Sequence, residues 1–358
     1  MLKKLVLFGF IALVGLALMK FEKVKALFSE EIIRTTNATQ TKLLIPTDPT
    51  FIELLDMLQA KGVIGDVNAV RGVAVKQNLD TTNFAGGKYL ILSGTRIEDL
   101  IAGFQKNSDG LGRDEIMVKV SFNYCRDIYD VGSAIEKCIV ADSASIVEGL
   151  LDPYTHDKYN LNRDEIAGLF LPRQYEMPFD TDAKQFISFM GTQYETFWTE
   201  GRMSKMRSIG LNVPSEVTTL ASIVYAEQGR VKNEWPIIAK LYLNRLDKGM
   251  RLESDPTFKF CWGSELDNVQ RLTYKHRDID CAHNTYKISG LPPGPICIPP
   301  AGVIDAVLNP AAVDWTFMCA QANYSGEHNF TASVRAHQNN ANKYQRWLKN
   351  EIKKKDNE

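Results

Sequence analysis

Apolar residues fall along this chain in three patterns, and each predicts a different element. From Leu5 to Met19 they run without a charge. In short stretches they are dense or alternate with polar residues: LLIP after Lys42, Lys88 to Leu92 (KYLIL) and Ile116 to Phe122 (IMVKVSF) all predict strands. Elsewhere they recur at i, i+3, i+4 and i+7, the spacing of one helix face. Phe51, Leu54, Leu55 and Leu58 form such a face behind a helix start at Asp48 and Pro49. Ile97, Leu100, Ile101 and Phe104 repeat it, with Thr95 and Glu98 spaced as a capping box. Further helices are predicted near Val131 to Val140 and Ser143 to Leu151, and a strand and turn over Gly168 to Met177 around Pro172. Phe186, Met190, Tyr194 and Phe197 then line a helix that begins near Asp182, with Trp198 beside that face. Aromatics at that spacing read as core. Trp235, Ile238, Ala239, Tyr242 and Leu246 mark another helix, started by Pro236 and stopped by Gly249. Met250 to Pro300 is loop-rich and carries six prolines, and the last helix runs from about Val334 to Lys353. Mixed strands and helices of this kind predict an α+β fold.

One helix ends in a carboxylate. Pro214 and Ser215 read as its start, with Ser215 as N-cap and Glu216 in the first turn. Val217, Leu220, Ala221 and Val224 form a buried stripe, and Glu227, seven past Leu220, extends that stripe. Gly229 reads as the stop. A carboxylate there is partly desolvated and faces the negative end of the helix dipole, so its pKa should rise, as a general acid requires. The competing reading is an ordinary Glu at a frayed helix end, reaching out to solvent.

The chain has 358 residues, 44% of them hydrophobic, enough for two or three domains with cores. Its net charge of −1 lacks the basic excess of a nucleic-acid binder. Cysteines at 125, 138, 261, 281, 297 and 319 form no CxxC pair, which argues against a zinc ribbon or a thioredoxin-type motif. Disulfides and buried free thiols both remain open, and the pairing does not follow from sequence. At the N-terminus, Lys3 and Lys4 precede the uncharged run and Lys20, Lys23 and Lys25 follow it. Its length of about fifteen residues suits a signal-peptide core, or a single transmembrane helix with a snorkelling lysine. No clear small-x-small cleavage site follows, which favours an uncleaved anchor over residues 1–25 with the body outside the cytoplasm. Residues 26–42 read as a polar stalk. Residues 43–110, two matching strand–helix half-units, read as a small α/β module that either binds carbohydrate or acts as a spacer. Residues 111–354 form the main α+β region.

Four segments then occur in order: LASIVYAEQG, LYLNRLDKGMRLESDPT, HNTYKISGLPPGPI and EHNFTASVRAH. In these the chain resembles the YceG-like family of endolytic peptidoglycan transglycosylases, continuously from roughly Gly168 to Leu348. The resemblance implies a LysM-like module over residues 43–110, a membrane anchor before it, and catalysis by residues 111–354. It also implies that Glu227 is the catalytic glutamate, at the second acidic position of the family's E-x-E pattern. Tyr225 stands at the first, so that position is not essential here. Ile298-Pro299-Pro300 stands where many relatives have Asn-Pro-Gly. Ordinary glycosidases use two carboxylates. The lytic reaction implied here needs one, which protonates the oxygen leaving muramic acid and then takes the proton of the sugar's own primary hydroxyl as that oxygen closes on the anomeric carbon.

The remaining candidates for substrate contact are Asp255 and Thr257 in SDPT, Asn284 and Tyr286 in NTY, and His328 and His337. Asp255 reads equally as an Asx turn before Pro256, and Asn284 and Tyr286 as core. His328 and His337, nine apart with no third ligand at metal spacing, read as hydrogen-bonding scaffold groups; no metal or other cofactor is expected. Gly290 to Gly294 (GLPPG) is expected as a rigid wall beside the cleft. Asn244 and Arg245 are expected to bind across a helix–loop junction. The expected partners are peptidoglycan glycan strands and, by resemblance, peptidoglycan synthases at the membrane. Two other functions compete: a muramidase-type hydrolase with Asp255 as second carboxylate, and a non-enzymatic cell-wall binding protein.

Overall fold

The computed structural model describes residues 40–46, 48–105, 117–122, 125–266, 269 and 273–355. The expected anchor, and the stalk as far as residue 39, lie outside the described residues. Among the described residues no helix is long and apolar enough to cross a membrane. The chain divides into two compact units, Met1–Ile116 and Met117–Glu358. The fold is α+β, with helices predominating over small two-stranded sheets.

In the first unit, β1 (Gln40–Ile45) leads to α1 (Phe51–Ala60) and α2 (Val67–Lys76). Strand β2 (Gly87–Leu92) then runs antiparallel to β1, with Leu43 opposite Tyr89, and α3 (Ile97–Gly103) follows. Leu43, Ile45, Leu54, Leu55, Leu58, Tyr89, Ile91, Leu100 and Phe104 make one core. Alternation in β2 puts one face of that strand inside and the other out. Two expected caps are displaced. Helix α1 is capped by Thr50, which exchanges hydrogen bonds with Glu53, and not by Asp48, which sits at φ 52. Thr95 donates to the Leu92 carbonyl (2.7 Å), while Glu98 is held by Arg96 (3.2 Å) and Gln77, so the expected box over α3 does not form. Helix α2 escapes the periodicity reading because it buries only Val70 and Ala74, carries Gly72 and leaves Val75 exposed.

The second unit opens with β3 (Met117–Val120), then α4 (Ile128–Ile135), α5 (Ser143–Leu151) and α6 (Pro153–Tyr159). Strand β4 (Tyr175–Pro178) pairs antiparallel with β3. Helix α7 (Ala183–Phe197) is capped by Asp182 in a box with Gln185, and it buries Phe186, Met190 and Tyr194 as its pattern predicts. Helices α8 (Glu200–Ser208), α9 (Pro214–Glu227), α10 (Trp235–Asp247), α11 (Asp255–Trp262) and α12 (Ala301–Leu308) follow. The hairpin β5 (Phe317–Ala320) and β6 (His328–Thr331) leads into α13 (Val334–Lys355).

Helix α9 is the centre of this unit. It packs against α10 and α12. The spacing predicts a stripe, yet Ser215 and every residue from Val217 to Val224 are buried. A helix surrounded by others must satisfy its polar side chains locally. Thr218 donates to the Pro214 carbonyl (3.1 Å), and Ser222 donates to the Thr219 carbonyl (2.7 Å). Ser222 also accepts from the Ile296 amide (3.0 Å), which ties the proline-rich loop to α9. Gly294 in that loop lies so close to the chain at Asp164 that a Cβ would stand 2.0 Å from the Asp164 carbonyl oxygen. Gly294, the last residue of GLPPG, therefore packs against the chain at Asp164, and Ile296 just beyond it holds α9. One disulfide, Cys261–Cys281, joins α11 to the segment before Asn284, and Cys125, Cys138, Cys297 and Cys319 are free thiols.

Candidate active site

The ends of α9 are built differently from the expectation. Pro214 occupies its first turn, and Val213, not Ser215, is the N-cap. Val213 has no capping side chain, so the Glu216 carboxylate accepts the amides of Asn212 (2.6 Å) and Val213 (3.4 Å) instead. At the other end Gln228, not Gly229, makes the turn. Gln228 is buried; its Oε1 accepts the amides of Arg230 (3.2 Å) and Val231 (3.0 Å), and its Nε2 donates to Glu234 Oε2 and the Gly326 carbonyl, both at 2.8 Å. Trp235 Nε1 donates to the Gln228 carbonyl (2.6 Å). A helix end held by this many bonds is not frayed, and Glu227 is fixed at its last position. Tyr225 packs its ring edge-on to Trp235, 6.5 Å between centroids.

Glu227 is partly buried. Its Oε1 accepts two hydroxyls, from Tyr242 on α10 (2.8 Å) and from Ser254 just before α11 (2.5 Å). Burial pushes its pKa above the usual carboxylate range, with Asp255 adding to the rise; the Ser254 and Tyr242 hydrogen bonds and His328 act the other way. Burial and the neighbouring Glu227 hold the Tyr242 phenol well above its ordinary pKa, so it stays a donor. No described residue donates to Glu227 Oε2. With Oε1 engaged twice as an acceptor, Oε2 is the oxygen left open to carry a proton.

Glu227 lines a cavity of about 310 Å³ with Tyr242, Arg245, Glu253, Asp255, Tyr286, His328 and His337, and with apolar contributions from Leu241, Leu252 and Met318. The structure thus brings together five of the residues singled out by sequence: Glu227, Asp255, Tyr286, His328 and His337. Asp255 opens α11, and its Oδ1 accepts from the Tyr286 hydroxyl (2.7 Å). The His328 amide donates to Glu234 Oε1 (2.8 Å), and its Nδ1 lies 2.7 Å from Glu234 Oε2. Buried Glu234 therefore joins the end of α9 to the hairpin through Gln228 and His328. His337, in the first turns of α13, stacks on Phe317 (5.1 Å between centroids), and its Nδ1 is buried without a hydrogen-bond partner among the described residues. Burial, with Arg245 nearby, lowers its pKa.

Two expected contact residues face elsewhere. Asn284 is fully buried, its Nδ2 donates to the carbonyls of Arg277 and Ile279 (2.8 Å each), and its Oδ1 accepts the Tyr286 amide (3.1 Å). Thr257 is also fully buried; its hydroxyl donates to the Ser254 carbonyl (2.6 Å) and meets the Thr285 hydroxyl at 2.8 Å. Both shape the loops that present Ser254, Asp255 and Tyr286. Asn244 and Arg245 do bind across a helix–loop junction. Asn244 donates to the carbonyls of Val313 and Trp315 (3.0 Å each), and Arg245 reaches Thr316, Arg251 and Leu252.

Sequence reasoning missed Tyr242, Ser254, Glu253, Gln228 and Glu234 as site groups. Tyr242 fitted an apolar helix face and so read as core, and Ser254 sits inside the SDPT segment beside Asp255, which drew the attention.

Residues 43–343 match the family model of the YceG-like family. An endolytic murein transglycosylase of Bacillus subtilis is 33% identical over 197 residues, covering 54% of this chain and 52% of that protein. An endolytic murein transglycosylase of Streptococcus pneumoniae is 27% identical over 160 residues, covering 44% of this chain and 28% of that protein. The matched stretch thus spans about half the length of the first relative and less of the second. The crystal structure of a YceG-like protein from Listeria monocytogenes superposes with a TM-score of 0.51 at 21% identity, over 84% of this chain and 98% of that one, a likeness of fold.

Proposed function

The chain belongs to the YceG-like family, and on that premise we propose that it is an endolytic murein transglycosylase that cuts glycan strands of peptidoglycan without consuming water. The observation that carries the reading is the state of Glu227: a carboxylate held at a cavity wall by two hydroxyls on one oxygen, with its pKa raised by burial. Neutral Glu227 gives its Oε2 proton to the glycosidic oxygen as the bond to the muramic acid anomeric carbon breaks. The sugar's own C6 hydroxyl then bonds to that carbon and returns its proton to Glu227. The products are a new free hydroxyl end and a 1,6-anhydro end, and the acid is regenerated. Asp255, held by Tyr286, places negative charge beside the cavity, where the ring becomes positive.

The same cavity favours a second reading. Glu253 and Asp255 both line it, so a carboxylate besides Glu227 is at hand for a hydrolase of the two-carboxylate kind. Digestion of purified peptidoglycan, read by mass spectrometry, separates the two. Anhydro ends are the expected outcome; ends heavier by one water would make the protein a hydrolase, and intact strands would leave only binding.

A pH profile tests the acid itself. The neutral form of Glu227 works, so kcat/KM should fall on the alkaline side as that group ionises. Tyr242→Phe removes a donor that favours the carboxylate, so the pKa should rise further and the alkaline limb should move to higher pH. A limb that stays in place would detach Glu227 from that ionisation.

Around this centre, the proposal takes residues 43–110 as a LysM-like module that holds glycan, its support being a core of its own. It takes residues 1–25 as a membrane anchor that keeps residues 111–354 on the outer side, beside the synthases that extrude new strands.

A further inference from the structure

Beside the cavity lies a cation that the proposed chemistry leaves unused. Arg277 ends the short helical turn Tyr274–Arg277. Its guanidinium lies over the ring of Tyr274 (4.7 Å) and over that of Tyr286 (4.9 Å). Two aromatic rings hold the guanidinium in place through cation–π contact and leave its N–H groups to bind. No described carboxylate takes those groups: neighbouring Asp278 is paired with Lys287.

The segment is also held still. Buried Asn284 fixes the carbonyls of Arg277 and Ile279, and Trp262 Nε1 donates to the His276 carbonyl (2.8 Å). The Cys261–Cys281 disulfide closes the same loop. Next to it, exposed Arg251 donates through Nη1 to the Tyr286 carbonyl (2.9 Å). Tyr286 is therefore flanked by two arginines, while its hydroxyl reaches Asp255 inside the cavity. Tyr274, 80% exposed, adds a second ring to the platform.

We propose that Tyr274, Arg277 and Tyr286, with Arg251 beside them, form a subsite for a carboxylate of the peptide stem carried by the glycan strand, so that the protein prefers strands bearing stems to bare ones. The inference rests on the murein reading of the Glu227 site. A planar, preorganised guanidinium matches a carboxylate through two parallel hydrogen bonds, and its rings offer stacking for the adjoining sugar or peptide plane. A strand stripped of its stems keeps only the lactyl carboxylate held close against each muramic acid ring, whereas a stem carries its carboxylates out to the guanidinium over the Tyr286 ring.

The test compares peptide-bearing strands with the same strands stripped of stems by an amidase, using the full chain. The wild-type protein should cut stem-bearing strands with the lower KM. Arg277→Gln should raise that KM about tenfold, leave kcat unchanged, and leave the kinetics on stripped strands alone. Arg277→Lys, which keeps the charge without the fork, should recover part of the loss. Unchanged KM on stem-bearing strands, or an equal loss on both substrates, would overturn the subsite while the murein reading stands. A wild-type protein that cuts neither substrate would overturn the murein reading, and the subsite with it.

Discussion

Glu227→Gln is expected to lower the rate of strand cleavage by about 10²- to 10⁴-fold while leaving the fold intact. The side-chain carbonyl of Gln still accepts from Tyr242 and Ser254, so the bonds that anchor the end of α9 to α10 and the 254 loop survive. What is lost is a proton that can leave. Stability should not suffer. Burial raises the Glu227 pKa in the folded protein above that of the unfolded chain, so folding favours the protonated form. That contribution is fully present below the unfolded carboxylate range of about 4.3 and is lost as pH rises through the folded pKa. Above it the native side chain is a desolvated charge, which Gln is not. Thermal unfolding at alkaline pH should therefore show the variant equal to or more stable than the native protein. Anhydro products from the variant at native rate would remove Glu227 from the mechanism.

How much of this could be seen in the sequence differs by element. Helix α9 and the place of Glu227 on it were legible, because helical spacing is local and Leu220, Val224 and Glu227 fall in one register. The burial of its other faces was not, since Thr218 and Ser222 look polar until the Pro214 and Thr219 carbonyls and the Ile296 amide satisfy them. The partners of Glu227 stand 15 and 27 residues away, and no periodicity links them to it. Asn284 and Thr257 have the chemistry of ligand-binding groups, and backbone carbonyls inside the loops took up that chemistry instead. Pairing of Cys261 with Cys281 depends on the course of a loop, which spacing does not encode. Membership of the family, read from four ordered segments, holds over residues 43–343 because motif order survives where individual contacts cannot be read.

Arg245→Met is expected to be the most destabilising single change near the site. Arg245 is 7% exposed. Its Nε donates to the Thr316 carbonyl (2.7 Å) and its Nη1 to the carbonyls of Arg251 (3.0 Å) and Leu252 (2.9 Å), with Glu253 Oε2 at 3.3 Å. Its guanidinium also lies over the Phe317 ring at 5.4 Å. Met keeps the packing of the stem and removes every donor, leaving three carbonyls short of a partner. Each such group costs about 1–3 kcal/mol when buried, and water from the adjoining cavity offsets part of it, so about 4 kcal/mol in total is expected. For a unit of this size that corresponds to a fall in Tm of roughly 8–16 °C. Activity should fall too, because the same carbonyls hold the segment that sets Glu253 at φ 50 and presents Ser254 and Asp255 to Glu227. Arg245→Lys should rescue little, since a point charge cannot span Thr316 on one side and Arg251 with Leu252 on the other. A Tm within about 1 °C of the native value in the Met variant would mean that the hairpin and the 251–255 segment are held by something other than this arginine.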